Sequence, residues 1–128
     1  MSNSIALLGR ILMAAIFLQA GVHKALAFKV ISAMLAGKGF PAPDIMTALT
    51  ILVEIVGGLL LLPLSTARYG AAILAPFTLV AGAFFHDFWH KPPAEYANDF
   101  NHFMKNIAII GGFLCIMAQP AGSRLTRP

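Results

Sequence analysis

The 128-residue chain is 59% hydrophobic and only 11% charged, with a net charge of +4 at pH 7. Soluble domains carry about 25% charged residues, so this composition excludes a soluble enzyme. Its basic residues occur singly rather than in runs, so nucleic acid is not an expected partner. The single cysteine, Cys115, excludes a disulfide framework.

Four apolar runs, each long enough for a bilayer crossing of about 20 residues, predict an all-α integral membrane four-helix bundle. The predicted helices cover approximately residues 5–28, 44–64, 69–88 and 100–119 of a single domain, 1–128. Pro76 lies inside the third run, where a membrane helix tolerates it with a kink. Segment 29–43 is predicted to form a short amphipathic turn that lies in the membrane interface and does not span the bilayer. Segment 89–101 is the most polar stretch and is predicted to be the longest loop.

Four crossings place both termini on one side of the membrane, so the opposite side receives the end of helix one, the end of helix three and the start of helix four. If Lys24 and Lys105 belong to the bundle, the basic residues left in loops favour cytoplasmic termini. Arg10 lies some two turns inside the first run, and we expect its guanidinium to reach the head groups of the terminal side.

Most of the ionisable and hydrogen-bonding side chains that are candidates for a functional site lie where these helix ends meet. They are His23 and Lys24, then His86, Asp87 and His90, then His102, Lys105 and Asn106. Residues three or four apart share a helix face, which groups His86 with His90 and Gln19 with His23. The second helix carries a polar or small stripe that should face other helices. Its members are Thr47, Thr50, Glu54, Gly57 and Gly58.

Glu54 is the most informative single residue, because a carboxylate near the bilayer centre costs about 2.5 to 3.5 kcal/mol unless it is partnered or protonated. Lys24 and Lys105 are within reach as ion-pair partners, and Gln19 is an alternative hydrogen-bond partner for the neutral acid. Two interpretations remain open. Glu54 handles protons or binds a ligand, or it forms a buried pair that only fixes the register of the helices.

A metal site is not expected, since such a site needs three or four ligands in a defined geometry. His86, His90, His102 and Asp87 have the right chemistry to supply one, and the pair His86 and His90 is the weak candidate. The same pair beside the kinked helix is compatible with a flanking haem or quinone ring, of which haem is the less expected. The nearby aromatic residues Phe85, Phe88 and Trp89 are typical of a membrane-interface belt.

Several short motifs follow one another in a characteristic order along nearly the whole chain. They are Arg10, Phe17, Gly21 and Lys24; Gly39-Phe40-Pro41; Glu54 with Gly57-Gly58; Arg68; and His102-Phe103-Met104-Lys105-Asn106 before Gly111-Gly112. In this order and spacing the chain resembles the DoxX family, small four-helix membrane proteins of bacteria and archaea. The resemblance implies a multi-pass protein of the bacterial cytoplasmic (inner) membrane, a link to quinone-coupled redox systems, and polar intramembrane residues at Lys24, Glu54, His102, Lys105 and Asn106. It implies no catalytic residue.

These observations together predict a membrane subunit of a quinone-linked redox system. Its site residues are predicted to be Lys24, Glu54, His86, His102, Lys105 and Asn106. Quinone reduction needs hydrogen-bond donors and protons, which these residue types supply. In the absence of a catalytic motif, the chain is at most a subunit of an oxidoreductase complex. The alternatives are a protein that binds or transports a small molecule or lipid, and a structural anchor that recruits a soluble enzyme. The expected partners are the lipid bilayer, further copies of the chain and a soluble redox partner.

Overall fold

The computed structural model describes residues 2–119, which fold into five α-helices and one short 3-10 turn. The helices are α1 (Ser2–Leu26), α2 (Phe28–Gly37), α3 (Pro43–Leu61), α4 (Ala67–Phe85) and α5 (Pro93–Met117), with the turn Phe88–His90 before α5. By length and composition, α1, α3, α5 and the segment that contains α4 qualify as membrane spans. The predicted all-α four-helix membrane fold is therefore confirmed.

The core of the bundle lies where α1, α3, α4 and α5 meet. Phe113 of α5 and Leu74 of α4 are fully buried, as is Leu61 of α3. Phe17 of α1 packs against Phe113 with ring centroids 5.5 Å apart, so α1 and α5 touch within this core.

Close backbone approach holds α3 against α4. A Cβ atom built on Gly70 would lie 2.7 Å from the carbonyl oxygen of Gly57 and 3.0 Å from the backbone nitrogen of Leu61. Helices in lipid gain little from hydrophobic burial and associate through such tight contacts between small residues. The crossing of α3 and α4 therefore leaves no room for a side chain at position 70.

We expect Gly70→Ala to lower the free energy of unfolding by about 1 to 3 kcal/mol, because the added methyl group meets backbone that must move. Gly111→Ala is the matched control, since nothing lies within 4 Å of a Cβ there and alanine favours a helix. Thermal unfolding in detergent, followed by circular dichroism, measures both. Equal melting temperatures for Gly70→Ala and the unsubstituted chain would contradict the close approach.

The predicted long loop over 89–101 is wrong from Pro93 onward, because α5 already begins there. Proline suits the first turn of a helix, where its missing N–H is not needed. The polarity of these residues reflects exposure at the end of the bundle rather than irregular backbone.

Lys91, just before α5, lies 3.3 Å from Asp99 Oδ2. Hydrogen bonding and attraction to Asp99 raise the pKa of Lys91 above its ordinary value.

The segment predicted as interfacial is the ten-residue helix α2 followed by a turn. Ser32 and Leu35 of α2 are buried, and the Ser32 hydroxyl donates a hydrogen bond to the Asp44 carboxylate at the start of α3. Gly39, at φ +80°, adopts the left-handed backbone that turns the chain toward α3. The segment is thus tied to the bundle, while Val30 stays largely exposed.

The expectation that the Arg10 guanidinium reaches the head groups is wrong. Arg10 is buried, with 7% of its surface exposed, and its Nε donates to the carbonyl oxygen of Leu62 at 3.4 Å. Leu62 follows the last residue of α3, where carbonyl groups lack partners within the helix. Arg10 therefore caps the end of α3 from inside the bundle.

Candidate functional site

A buried ion pair joins α1 to α3. Lys24 Nζ lies 2.7 Å from Oε1 and 2.9 Å from Oε2 of Glu54, and the Glu54 side chain is only 6% exposed. Glu54 is about 17 Å along α3 from Pro43, at 1.5 Å per residue, so the pair sits well inside the membrane span. Of the three partners that the sequence leaves open for Glu54, the structure places Lys24 on the carboxylate. Lys105 and Gln19 are exposed on α5 and α1 and make no contact with it.

The ion pair borders a cavity of about 510 Å³ to which all five helices contribute. Its polar lining residues are Lys24, Thr50, Glu54, Thr78, His86 and Asn106, and its aromatic ones are Phe17, Phe40, Phe77, Phe84 and Phe85. The volume falls in the range of small-molecule sites, about 300 to 1,000 Å³, which are mostly apolar with a few placed polar groups. The cavity thus has the size and composition of a ligand site.

The cavity reaches the outer surface of the bundle. Four of its apolar lining residues, Ile16, Met34, Val80 and Phe84, are themselves between 42% and 54% exposed. They belong to α1, α2 and α4, and in a bilayer this surface faces hydrocarbon. The cavity therefore adjoins the outer, apolar surface of the bundle.

Thr78 places a buried hydroxyl without a protein partner at this cavity. The residue is 4% exposed, and its Oγ1 makes no hydrogen bond within the described part of the chain. Thr47 and Thr50, by contrast, each donate to the carbonyl four residues earlier, at 2.8 Å. A buried hydroxyl that lacks a partner is unfavourable. Thr78 Oγ1 and the equally unpartnered His86 Nδ1 are therefore polar atoms at this cavity that are free to bond a ligand.

His86 connects the cavity to a charged cluster at the end of the bundle. It follows α4 directly, and its ring stacks on that of His102 of α5 with centroids 4.9 Å apart. His86 Nδ1 lies 3.7 Å from Asp99 Oδ1, too far for a hydrogen bond. Asp99 in turn lies near Lys91. His86 thus stands between the cavity and groups that contact water.

The structure gathers four of the six predicted site residues. Lys24, Glu54, His86 and Asn106 line the cavity. His102 reaches it only through its stack on His86, and Lys105 is exposed on α5 and does not line it. Thr78 and the aromatic walls of the cavity are not among the residues predicted from the sequence. Nothing in the sequence distinguishes Thr78 from a hydroxyl that bonds its own helix.

The histidine pair proposed as a metal candidate does not form on one helix face, because α4 ends at Phe85 and not at 88. His90 is exposed, and its Nδ1 lies 3.4 Å from Asp87 Oδ2. Over residues 2–119, no three His, Cys, Asp or Glu residues come together as metal ligands.

Comparisons with known proteins place the chain among membrane proteins. The DoxX family model matches residues 5–87. The chain is also similar to inner membrane protein YqjF of Escherichia coli (strain K12), with 35% identity over 117 residues that cover 91% of this chain and 85% of that protein. No solved structure matches significantly. The family match spans Lys24, Glu54, Thr78 and His86 and ends before Asn106.

Proposed function

The chain belongs to the DoxX family, and from this premise we propose that it is a bacterial inner-membrane protein that binds a quinone. In this proposal it acts as the membrane subunit of a redox system, with the cavity beside Lys24 and Glu54 as the quinone site. The observation that carries the proposal is the unpartnered Thr78 hydroxyl in a mostly apolar cavity that adjoins the outer surface of the bundle.

The side chains at the cavity fit a quinone head group. A quinone is a flat ring with two carbonyl acceptors, so it needs apolar walls and hydrogen-bond donors. Phe40 packs against Phe84 with ring centroids 5.0 Å apart and provides part of an aromatic wall. Thr78 and Asn106 supply hydroxyl and amide donors. The Lys24 ammonium has three protons, so it also has a donor to spare beyond its two contacts with Glu54.

A bound quinone supplies redox chemistry that takes up and releases two electrons and two protons. The chain contributes the binding and the protons. Glu54 and His86 are general acid and base types within the same cavity. His86 also faces Asp99, so it is positioned to exchange protons with the aqueous end of the bundle while Glu54 remains shielded from water.

Thr78→Val tests this assignment, because valine has the shape of threonine without its hydroxyl. We expect the variant to bind a short-chain ubiquinone about fivefold to tenfold more weakly, the loss of one hydrogen bond of about 1 to 1.5 kcal/mol. We also expect it to unfold at the same temperature or higher, since the lost hydroxyl has no protein partner. Equilibrium binding to the protein in nanodiscs measures the affinity.

Thr47→Val is the matched control, since Thr47 is fully buried on α3, bonds its own helix and does not line the cavity. It should leave ubiquinone affinity unchanged. If Thr78→Val binds ubiquinone as tightly as the unsubstituted protein, or if neither binds it, the quinone assignment fails.

A further inference from the structure

Two polar side chains lie on the outward face of a membrane-spanning helix. Gln19 and His23 of α1 are both exposed, and at four residues apart they share one face. The buried residues Phe17 and Gly21 stand two positions before and after Gln19. At 3.6 residues per turn, two positions are about 200° of rotation. Gln19 therefore points almost directly away from the bundle, which corrects the expectation that this face looks inward.

Gln19 also lies within the hydrocarbon. It stands seven residues before the end of α1 at Leu26, or about 10 Å along the helix, in a hydrocarbon layer about 30 Å thick. A primary amide that faces lipid tails has nothing to bond, which is unfavourable. Glutamine in membrane helices commonly bonds across a helix interface. A protein group at the same depth in the membrane would therefore supply the hydrogen bond that the Gln19 amide lacks.

The exposed face around Gln19 has the spacing of a helix-pairing seam. We define the α1 seam as Ile5, Leu8, Leu12, Ala15, Gln19, Val22 and Leu26, all of which are exposed. Their intervals alternate between three and four residues, as in the a and d positions of a left-handed coiled coil. Ala15 is small and permits close approach, and a shallow concavity surrounds Gln19 and Val22. The seam therefore offers a continuous surface for a second helix.

We propose that the α1 seam binds the α1 seam of a second copy of this chain, in a parallel two-fold dimer. Two copies inserted in the same orientation carry Gln19 at the same depth. An amide both donates and accepts hydrogen bonds, so Gln19 of one copy satisfies Gln19 of the other across the two-fold axis. Such self-complementarity is what an isologous interface requires. A single polar residue at an a position fixes the register of a pair of helices.

Cysteine cross-linking in native membranes locates the interface. In a Cys115→Ala background, needed because Cys115 is exposed, we expect Ala15→Cys to form a disulfide-linked dimer on mild oxidation. Leu52→Cys is the matched control, since Leu52 is exposed near the middle of α3. We expect it to stay monomeric. Absence of the Ala15→Cys dimer, or equal cross-linking from both positions, would overturn the proposal.

Dimerisation of labelled protein in phosphatidylcholine vesicles, measured by energy transfer as lipid is added, tests the role of Gln19. Gln19→Leu should weaken the dimer about 3- to 30-fold, the range of interhelical hydrogen bonds in membranes. Gln19→Asn, which keeps an amide, should retain most of the affinity. Because the side chain faces away from the bundle, neither change should alter the melting temperature of the monomer. A Gln19→Leu dimer as tight as the original would contradict the proposal.

Discussion

Lys24→Met is expected to destabilise the bundle by about 3 kcal/mol or more, because it leaves the buried Glu54 carboxylate without its cation. Glu54→Gln should cost far less, about 1 kcal/mol. The asymmetry follows from position. Lys24 is two residues from the end of α1 and its side chain is 24% exposed, so its ammonium can bend toward the head groups when Glu54 is neutral. The Glu54 carboxylate lies near the middle of α3 and cannot reach the head groups in the same way.

The double variant Lys24→Met/Glu54→Gln separates pairing from other effects. It removes both charges, so it should be more stable than Lys24→Met alone, although it contains one substitution more. Chemical unfolding of the purified protein in mixed micelles gives the three free energies. Simple additivity in the double variant would show that the two charges do not depend on each other. Equal losses for the two single variants would contradict the predicted asymmetry between Lys24 and Glu54.

Ala81→Phe is expected to weaken ubiquinone binding by at least about tenfold, or 1.4 kcal/mol. Ala81 lines the cavity from α4, and a benzyl group there occupies space that the ligand needs. The change adds only apolar atoms to an apolar wall, so the bundle should still fold. Binding of a short-chain ubiquinone in nanodiscs, with the melting temperature measured on the same samples, reports both effects.

Ala72→Phe provides the control for Ala81→Phe, because Ala72 lies on the same helix but is exposed and does not line the cavity. Its affinity for ubiquinone should equal that of the unsubstituted protein. Equal binding by Ala81→Phe would place the ligand elsewhere, and equal losses in both variants would indicate a general effect of α4 rather than a filled cavity.

The ion pair could be predicted from the sequence because hydrocarbon leaves few solutions for a lone acid. Glu54 is the only charged residue in the interior of its span, and Lys24 and Lys105 both lie within reach of its depth. The cost of an unpaired charge in lipid then requires a partner, although it does not choose between the two lysines. The prediction that Gly57 and Gly58 face other helices is also confirmed, since both are buried.

The outward direction of Gln19 was beyond sequence reasoning. Helical spacing indicates which residues share a face, and it grouped Gln19 with His23 correctly. It does not indicate where that face points when the whole helix is apolar, because in a bilayer the bundle side and the lipid side have similar composition. Only the packing of Phe17 and Gly21 against the other helices determines the orientation.

The early start of α5 and the unpartnered hydroxyl of Thr78 do not follow from the sequence, for different reasons. Polar residues after Pro93 suggested a loop, although a helix that extends beyond the hydrocarbon also carries polar side chains. A threonine in a membrane helix usually bonds its own backbone. That Thr78 does not, and that it faces a cavity, depends on how α4 packs against its neighbours.

Photolabelling with an azido-ubiquinone tests most directly whether the cavity beside Lys24 and Glu54 is a quinone site. The protein is labelled in bacterial membranes with and without excess ubiquinone, and the modified residues are located by mass spectrometry. We predict label on cavity residues such as Phe84 and Phe85 that excess ubiquinone abolishes. Label confined to outward residues such as Leu52 and Leu59, or label that excess ubiquinone does not reduce, would contradict the account.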